Sequence, residues 1–230
     1  MPSRNSVKQY INEGYYHIYN RGVEKRSIFQ DIQDYLVFLS YLKQYLLPKN
    51  EEELKEKLSD LNTSYKEKDK IIKLLQLNNF ADEITFLAYC LMPNHFHFFI
   101  KQKSAGSIDK FMNSLATRYS MYFNRKYKRV GPLYQDVYKA VLVTREEQLL
   151  HLTRYIHKQA LALQGDALER GLTEQPSSYL DYVGKRKTEW VKPAEILAYF
   201  SKTNPRFSYA AFVKQQDDFS LISKLVMEDI

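Results

Sequence analysis

Two histidines separated by one residue, His95 and His97, stand at the head of an apolar run of the chain. Neighbouring side chains of a β-strand point to opposite faces, so the two imidazoles share one face, while Phe96, Phe98 and Ile100 share the other. Two imidazoles on one face of a rigid strand form half of a site for a divalent metal ion. The alternative is a polar strand face on which both rings are only hydrogen-bonded, and a lone His-x-His does not decide between the two.

A second set of reactive side chains lies on a helix predicted from Arg145 to about residue 163. His151, Tyr155 and Gln159 recur every four residues and therefore share one helix face, which we predict to be polar. A tyrosine hydroxyl can act as a covalent nucleophile, and an amide oxygen can complete the coordination sphere of a hard metal ion. The alternative is a boundary tyrosine with a solvated hydroxyl beside an exposed glutamine.

The spacing of apolar and turn residues predicts the elements that must position these side chains. The predicted strands span residues 15–22, 84–91, 95–101 and 138–143, and the main helices span residues 31–47, 107–127 and 145–163. Ser107 is the predicted N-cap of the second helix, and Thr144 that of the third, with Glu147 completing a capping box. The predicted fold is α+β: a ferredoxin-like antiparallel sheet of four or five strands with helices packed on one side, plus a helical C-terminal appendage.

Two stretches lie outside this plan. Residues 50–73 are dense in Glu and Lys with few apolar anchors, which predicts a solvated helical hairpin or a mobile insert. We therefore expect one domain over residues 1–184 that carries this insert. Residues 185–230 are expected to form a C-terminal helical extension, with a helix at 194–200 after Pro193.

Composition sets limits on the compartment and the partners. The 230 residues are 44% hydrophobic, enough for a buried core, and their formal net charge of +7 permits a polyanionic partner. The single cysteine, Cys90, excludes an intrachain disulfide framework and suits a reducing compartment. No signal-like N-terminus and no run of about 18 apolar residues occurs, so we expect a cytoplasmic protein without a membrane span.

Basic and aromatic side chains concentrate in the second half of the helix at 107–127 and just after it. The basic members are Arg118, Arg125, Lys126, Lys128 and Arg129, and the aromatic members are Tyr119, Tyr122 and Tyr127. Such a mixture suits a groove for nucleic acid, because cations meet phosphates and rings meet bases. The alternative is a solvated basic helix end that is favoured by the helix dipole.

Four short motifs follow one another in a specific order. They read Tyr16-His17-Ile18-Tyr19-Asn20-Arg21-Gly22, Leu91-Met92-Pro93-Asn94-His95-Phe96-His97, Gly131-Pro132-Leu133-Tyr134-Gln135 and Arg154-Tyr155-Ile156-His157. With these motifs and this order of elements, residues 15–184 resemble the single-tyrosine HUH transposases, most closely the REP-associated tyrosine transposase branch. The charged insert and the C-terminal extension lie outside the resemblance.

The resemblance implies a role for each reactive residue. The strand histidines of that family bind a divalent metal ion, Mg²⁺ or Mn²⁺, which implies metal ligation by His95 and His97. The helix tyrosine of the family is the nucleophile, which implies that role for Tyr155, and a Gln or Asn one turn later implies a third ligand at Gln159. The sequence Lys158-Gln159-Ala160 departs from the Leu-Asn-Pro of many relatives. The glutamine arm is one methylene longer, and the missing proline changes where the helix can end.

The implied activity is metal-dependent cleavage and rejoining of single-stranded DNA beside a hairpin. Attack by the Tyr155 hydroxyl leaves a 5′-phosphotyrosine link and a free 3′-hydroxyl, and the conserved bond energy allows strands to be rejoined. A phenol with a pKa of about 10 needs activation, for which the sequence identifies no dedicated base; His151 is a candidate modulator, and His157 points elsewhere on the helix. The expected DNA contacts are Asn20, Arg21, Arg118, Arg125, Lys126, Lys128 and Arg129.

Other functions and assemblies stay open at this point. A non-cleaving DNA- or RNA-binding regulator on the same fold is one alternative, although RNA-binding sheets carry aromatic residues where this sheet carries histidines. A replication-type nickase is another, but no phosphate-binding Gly-x-x-x-x-Gly-Lys-Ser/Thr loop occurs in the sequence. A homodimer in which the tyrosine helix acts on the partner's histidines is also consistent with the sequence.

Overall fold

A four-stranded antiparallel sheet with the strand order β2-β3-β1-β4 organises the protein. The structure is a computed structural model that describes residues 8–163, 165, 174–215 and 219–226. The strands are β1 (Tyr15–Arg21), β2 (Ile84–Leu91), β3 (His95–Gln102) and β4 (Lys139–Val143). This is the ferredoxin-like arrangement predicted from the sequence, and each strand end agrees with its predicted position to within one residue.

Helices follow the strands in the predicted order. They are α1 (Ile32–Leu46), α2 (Glu51–Ser59), α3 (Tyr65–Gln76), α4 (Ser107–Lys126), α5 (Glu146–Ala162), α6 (Tyr179–Tyr182), α7 (Ala194–Leu197), α8 (Tyr209–Lys214) and α9 (Phe219–Val226). The long helices α1, α4 and α5 confirm the three main predicted helices. The charged stretch forms the α2–α3 hairpin, whose second helix begins with a Ser64–Glu67 capping box.

One side of the sheet, here called the apolar face, carries Phe96, Phe98 and Ile100 of β3. Its side chains pack against α1 and α4 in a cluster of buried aromatic and aliphatic residues. Phe38 of α1 contacts both phenylalanines, with ring centroids 5.9 and 6.1 Å away. The alternation of side chains along β3 therefore places Phe96, Phe98 and Ile100 on the same face, as predicted.

The opposite side, here called the histidine face, carries His17 of β1 and His95 and His97 of β3. It is also covered, by α5 and by the described helices of the C-terminal segment, which form a second buried cluster with Phe99 and Cys90. The expectation of helices on one side of the sheet is therefore wrong. Strand β2 is buried on both faces, and such a strand needs cover on both sides.

The C-terminal segment is part of the core and not a loose appendage. Trp190 packs between Phe86 and Tyr89, with ring centroids 5.3 and 5.2 Å away, while Ile222 and Leu225 of α9 are buried in the second cluster. The predicted helix at 194–200 is shorter, and the division at residue 184 stays a prediction. In the part of the chain that the structure describes, no helix combines the length and apolar character needed to cross a bilayer.

Two predicted helix caps are wrong by one residue. Gly106, with a φ of 92°, is the N-cap of α4, and Ser107 lies inside the helix, where its hydroxyl donates to Glu83 at 2.6 Å. Helix α5 has Arg145 as its N-cap. The Gln148 side-chain oxygen accepts from the backbone N–H groups of Thr144 and Arg145, at 3.3 Å each, in place of the predicted Glu147.

Candidate active site

The pairing of β1 with β3 brings three imidazoles together on the histidine face. Tyr19 pairs with His97 and Arg21 pairs with His95 in the strand register. The rings of His95 and His97 lie 4.9 Å apart and perpendicular, and the ring of His17 stacks on that of His97 at 5.2 Å. The predicted histidine pair therefore shares a face as expected, and a third histidine joins it.

Tyr155 of α5 lies against these rings within one chain. Its ring centroid is 5.5 Å from that of His97 and 6.3 Å from that of His17, both in edge-on contacts. The side chain is only 6% exposed and belongs to the buried cluster of the histidine face. The prediction of a polar face for Tyr155 is therefore wrong, because the C-terminal helices and the sheet enclose this side of α5. The tyrosine and the histidine pair nevertheless meet, as the site requires.

Asn94 fixes the orientation of His95. The amide nitrogen of Asn94 donates to the carbonyl oxygen of Lys25 at 3.2 Å, which leaves the amide oxygen facing Nδ1 of His95 at 2.6 Å. An amide oxygen only accepts, so Nδ1 of His95 carries the proton and Nε2 of the neutral ring carries the lone pair. Pro93-Asn94 therefore turns the chain and also leaves the Nε2 lone pair of His95 as the group that could coordinate a metal ion.

Burial keeps the histidines of this face neutral. It lowers the pKa of His95 to about 4, with a further contribution from the positive charge of Arg21. Burial likewise lowers the pKa of His17 to about 4, and that of His97 falls well below its usual range. A neutral imidazole is the form that coordinates metal ions, so these residues have the protonation state that a metal site needs.

The donor set for a metal ion would be two imidazoles and one amide. Gln159 is half-buried on α5, one turn beyond Tyr155, as predicted from the sequence. Within the described ranges, no group of three or more His, Cys, Asp and Glu side chains is arranged to hold a metal ion. Two histidines completed by an amide oxygen and water fit a hard divalent ion with open positions.

The other histidines of α5 have different surroundings. His157 is fully buried, and its two ring nitrogens lie 2.6 Å from the Tyr209 hydroxyl and 2.7 Å from the Ser178 hydroxyl. Nδ1 of His151 accepts from the Arg154 guanidinium at 2.9 Å, and its ring packs on Phe212. These contacts assign His157 to the structural core, in agreement with its predicted direction away from Tyr155.

The predicted DNA-contacting residues separate into two groups. Arg21 lies on the histidine face as the strand partner of His95, and its Nε donates to Gln135 at 2.6 Å. Asn20 points to the other side, where its amide donates to the carbonyl of Asp136 at 3.0 Å and lines a groove of about 380 Å³ beside α4. Only Arg21 of these two lies next to the histidine pair.

The basic residues of α4 lie on the far side of the sheet from Tyr155, because α4 packs on the apolar face. Arg118 stacks on Tyr41, 3.8 Å from the ring centre, and donates to Gln44 at 2.7 Å. Lys126 is bound by two carboxylates, Asp31 at 2.7 Å and the fully buried Asp34 at 2.8 Å. Arg125 and Lys128 are exposed, and Arg129 contacts Asn124 and the carbonyl of Pro132.

Sequence reasoning missed His17 as a member of the site. Its signal was present: His17 precedes Tyr19 by two residues in β1, so both side chains face the same way. What the sequence did not give was the position of β1 beside β3, which places the ring against His97.

A family model described as "Transposase IS200 like" matches residues 10–159, which include the histidine pair, Tyr155 and Gln159. The chain belongs to the IS200-like transposase family. It is therefore a DNA-processing protein of the transposase class, and the predicted family is confirmed. The matched region contains all four strands and α5 as far as Gln159, so it includes the residues of the candidate site.

Two solved structures are similar to this chain at low sequence identity. A REP-associated tyrosine transposase bound to a REP hairpin is 12% identical, with 82% of this chain and 96% of that one covered and a TM-score of 0.44. A proposed transposase from Deinococcus radiodurans R1 is 16% identical, with 67% and 97% covered and a TM-score of 0.28. No curated protein matches the chain. The family match, and not these distant likenesses, carries the assignment.

Proposed function

We propose that this transposase cleaves and rejoins single-stranded DNA at hairpin-adjacent sites, with Tyr155 as the nucleophile and a divalent metal ion, Mg²⁺ or Mn²⁺, at His95, His97 and Gln159. The observation that carries the proposal is the contact of Tyr155 with His97 inside one chain of the IS200-like family. A tyrosine of a helix far along the sequence meets the histidine strand without help from a second subunit. This intrachain contact supports cleavage by a single chain, with the homodimer as the alternative.

Tyr155 would carry the covalent step. Its oxygen forms a bond to the phosphorus of a phosphodiester, and the bond between that phosphorus and the 3′ oxygen breaks. The leaving oxygen takes up a proton and becomes a 3′-hydroxyl, while the phenolic proton goes to solvent. The product is a 5′-phosphotyrosine, and attack of a 3′-hydroxyl on it reverses the step without ATP.

The two histidines have the chemistry to hold the metal ion. Both are neutral because of burial, and the Asn94 amide leaves the lone pair of His95 on Nε2. Gln159 would supply an oxygen from one turn beyond the nucleophile. A bound ion would polarise a phosphate oxygen and stabilise the negative charge that develops on the leaving oxygen.

The burial of Tyr155 has a consequence for substrate entry. Because Tyr155 is only 6% exposed, we expect the groups that pack around it to move when a phosphate approaches its hydroxyl. Arg21 is the cation next to the histidine pair, and it would guide the phosphate toward His95. The exposed Arg125 and Lys128 on the opposite side would contact a more distant part of the DNA, such as a hairpin stem. A cytoplasmic location is consistent with such a substrate.

The decisive experiment looks for the covalent intermediate. The protein is mixed with labelled hairpin oligonucleotides carrying single-stranded flanks, in Mn²⁺, and adducts that survive SDS are counted. We expect an adduct with the natural chain and none with Tyr155→Phe, which should still bind the DNA because the phenyl ring preserves the packing.

Tyr182→Phe is the matched control, since this buried tyrosine lies in the same cluster and its hydroxyl donates to the backbone carbonyl of Leu87 at 3.1 Å. It should form the adduct at the natural level. An adduct with Tyr155→Phe would show that the nucleophile is wrong. Tight DNA binding with no adduct from the natural chain would favour the non-cleaving regulator instead.

A further inference from the structure

His17 connects the histidine strand to the C-terminal segment. Its Nδ1 lies 2.8 Å from the backbone carbonyl oxygen of Leu225 in α9, and its Nε2 lies 3.0 Å from Nδ1 of His97. Both rings are completely buried. Bulk water therefore does not decide which ring nitrogens carry protons, and the protein partners do.

The donors and acceptors in the series of hydrogen bonds from Leu225 through His17 to His97 can be assigned in only one way. A carbonyl oxygen only accepts, so Nδ1 of His17 is the nitrogen that carries the proton. Complete burial favours the neutral imidazole, and a neutral His17 that donates from Nδ1 has its lone pair on Nε2, so it accepts from Nδ1–H of His97. The equally buried ring of His97 then carries its lone pair on Nε2.

We infer that His17 is a positioning residue for His97: the Leu225 carbonyl fixes the tautomer of His17, and His17 in turn fixes His97 with its Nε2 lone pair available to a metal ion. The inference rests on the proposed function, because it assigns a purpose to the His97 lone pair. Metal-binding imidazoles commonly donate their second N–H to a neighbouring group, which orients the ring and raises its basicity. Asn94 does the same for His95 from the other end of the motif.

If His17 only filled space and satisfied a hydrogen bond, it would not need one particular tautomer. The His17–His97 hydrogen bond alone is satisfied by either pair of tautomers, because each ring has one donor and one acceptor. The carbonyl at Leu225 removes that freedom and selects the pair in which both rings are protonated on Nδ1, so that the lone pair of His97 lies on Nε2. Helix α9 is thereby a component of the site, although it lies outside the residues matched by the family.

The first test measures tautomers in the metal-free natural chain. Long-range proton–nitrogen NMR spectra of a sample with labelled histidines distinguish protonated from unprotonated ring nitrogens. We expect protonated Nδ1 and bare Nε2 for His17, His95 and His97 at pH 7. A proton on Nε2 of His97 would overturn the inference whatever the metal affinity.

The second test measures the affinity for Mn²⁺ from the electron paramagnetic resonance signal of the free ion. His17→Phe removes the acceptor, and we expect the dissociation constant to rise about 10- to 100-fold. His17→Gln keeps an acceptor oxygen near the position of Nε2 and should restore the affinity to within about threefold of the natural chain. An affinity of His17→Phe equal to that of the natural chain would overturn the inference.

The matched control is His157→Phe, which also replaces a fully buried imidazole but one that contacts Ser178 and Tyr209 instead of His97. It should bind Mn²⁺ as the natural chain does, and a loss equal to that of His17→Phe would overturn the inference. The double variant His95→Ala with His97→Ala separates the two proposals. If it binds Mn²⁺ as well as the natural chain, the metal ligands of the proposed function are wrong, and the NMR tautomers alone decide the role of His17.

Discussion

The two faces of the sheet are buried to a similar extent by different chemistry. On the apolar face, aromatic rings such as Phe86, Phe96 and Phe98 pack against α1 and α4, and burial needs no specific partner. On the histidine face, each completely buried imidazole has a defined hydrogen-bonding partner: Leu225 for His17, His17 for His97, and Ser178 with Tyr209 for His157. Such pairing is required because a buried polar group without a partner costs free energy.

This difference between the two faces shows which contacts can be predicted from a local sequence pattern. The apolar face follows from the alternation of a single strand, and many aromatic residues would satisfy it. The histidine face depends on partners that are 80 and 208 residues apart in the chain. It is also the face on which α5 presents Tyr155. Apolar packing and hydrogen-bonded imidazoles are therefore divided between the two sides of one strand, β3.

Phe98→Ala should give the largest change in stability. The ring is fully buried and stacks on Phe96 at 4.4 Å, so its removal leaves a cavity that costs about 3–5 kcal/mol of unfolding free energy. Urea unfolding followed by circular dichroism measures this. His95→Ala, on the other side of the same strand and half-buried, should cost less than about 1 kcal/mol. Equal losses would contradict the division between the two faces.

The pH dependence of stability should come largely from the histidine face. Burial lowers the pKa of His157 to about 3, whereas an unfolded histidine titrates near about 6.5. Between these values the unfolded chain binds the extra proton, so stability rises with pH up to about 6.5 and falls on acidification. His157→Gln should remove about 2 kcal/mol of the stability difference between pH 6 and 4.5.

Urea titrations at several pH values measure this slope. The matched control is Thr153→Val on the same helix, a completely buried position without a titratable group, whose replacement should leave the slope of the natural chain. An unchanged slope in His157→Gln would show that this imidazole is already protonated in the folded protein.

The smallest effects are expected from substitutions of basic side chains of α4, which do not belong to the buried cluster of the apolar face. Arg125→Met removes an exposed charge and should reduce the salt dependence of single-stranded DNA binding by about 0.7 in the logarithmic slope. Lys126→Met should leave that slope unchanged and cost about 1 kcal/mol of stability, because Asp34 loses its cationic partner and keeps only neutral donors such as the Tyr122 and Tyr127 hydroxyls. Fluorescence anisotropy at several salt concentrations measures the slopes. A lower slope for Lys126→Met would show that this lysine leaves its carboxylates for DNA.

Much of the fold could be predicted from the sequence because local patterns determine it. Alternation places His95 and His97 on one face of β3, and turn residues mark the strand ends to within one residue. The cover on the second face could not be predicted, because Ile222 and Leu225 reach it from a segment whose pattern does not show where it packs. The cap of α5 was missed because two polar residues, Glu147 and Gln148, compete for one role, and the structure selects the second.

The site could be predicted in part for the same reason. The spacing of His95, His97, Tyr155 and Gln159 indicated which residues to consider, and the contact of Tyr155 with His97 agrees with that choice. The burial of Tyr155 was missed because it depends on distant helices. The engagement of Lys126 was missed because Asp34, its buried partner, lies 92 residues away. A count of charges along α4 cannot show which of them are already neutralised.

The hydrogen bond from His17 to Leu225 also constrains how the protein is made. Ribosomes deliver β1 early, and domains begin to fold while synthesis continues. The carbonyl group that orients the His17 imidazole is synthesised 208 residues later. A nascent chain or a prematurely stopped product that ends before residue 225 would carry both strand histidines and Tyr155 but lack the group that completes their alignment. Translation itself would thus delay the alignment of these side chains until residue 225 has been synthesised.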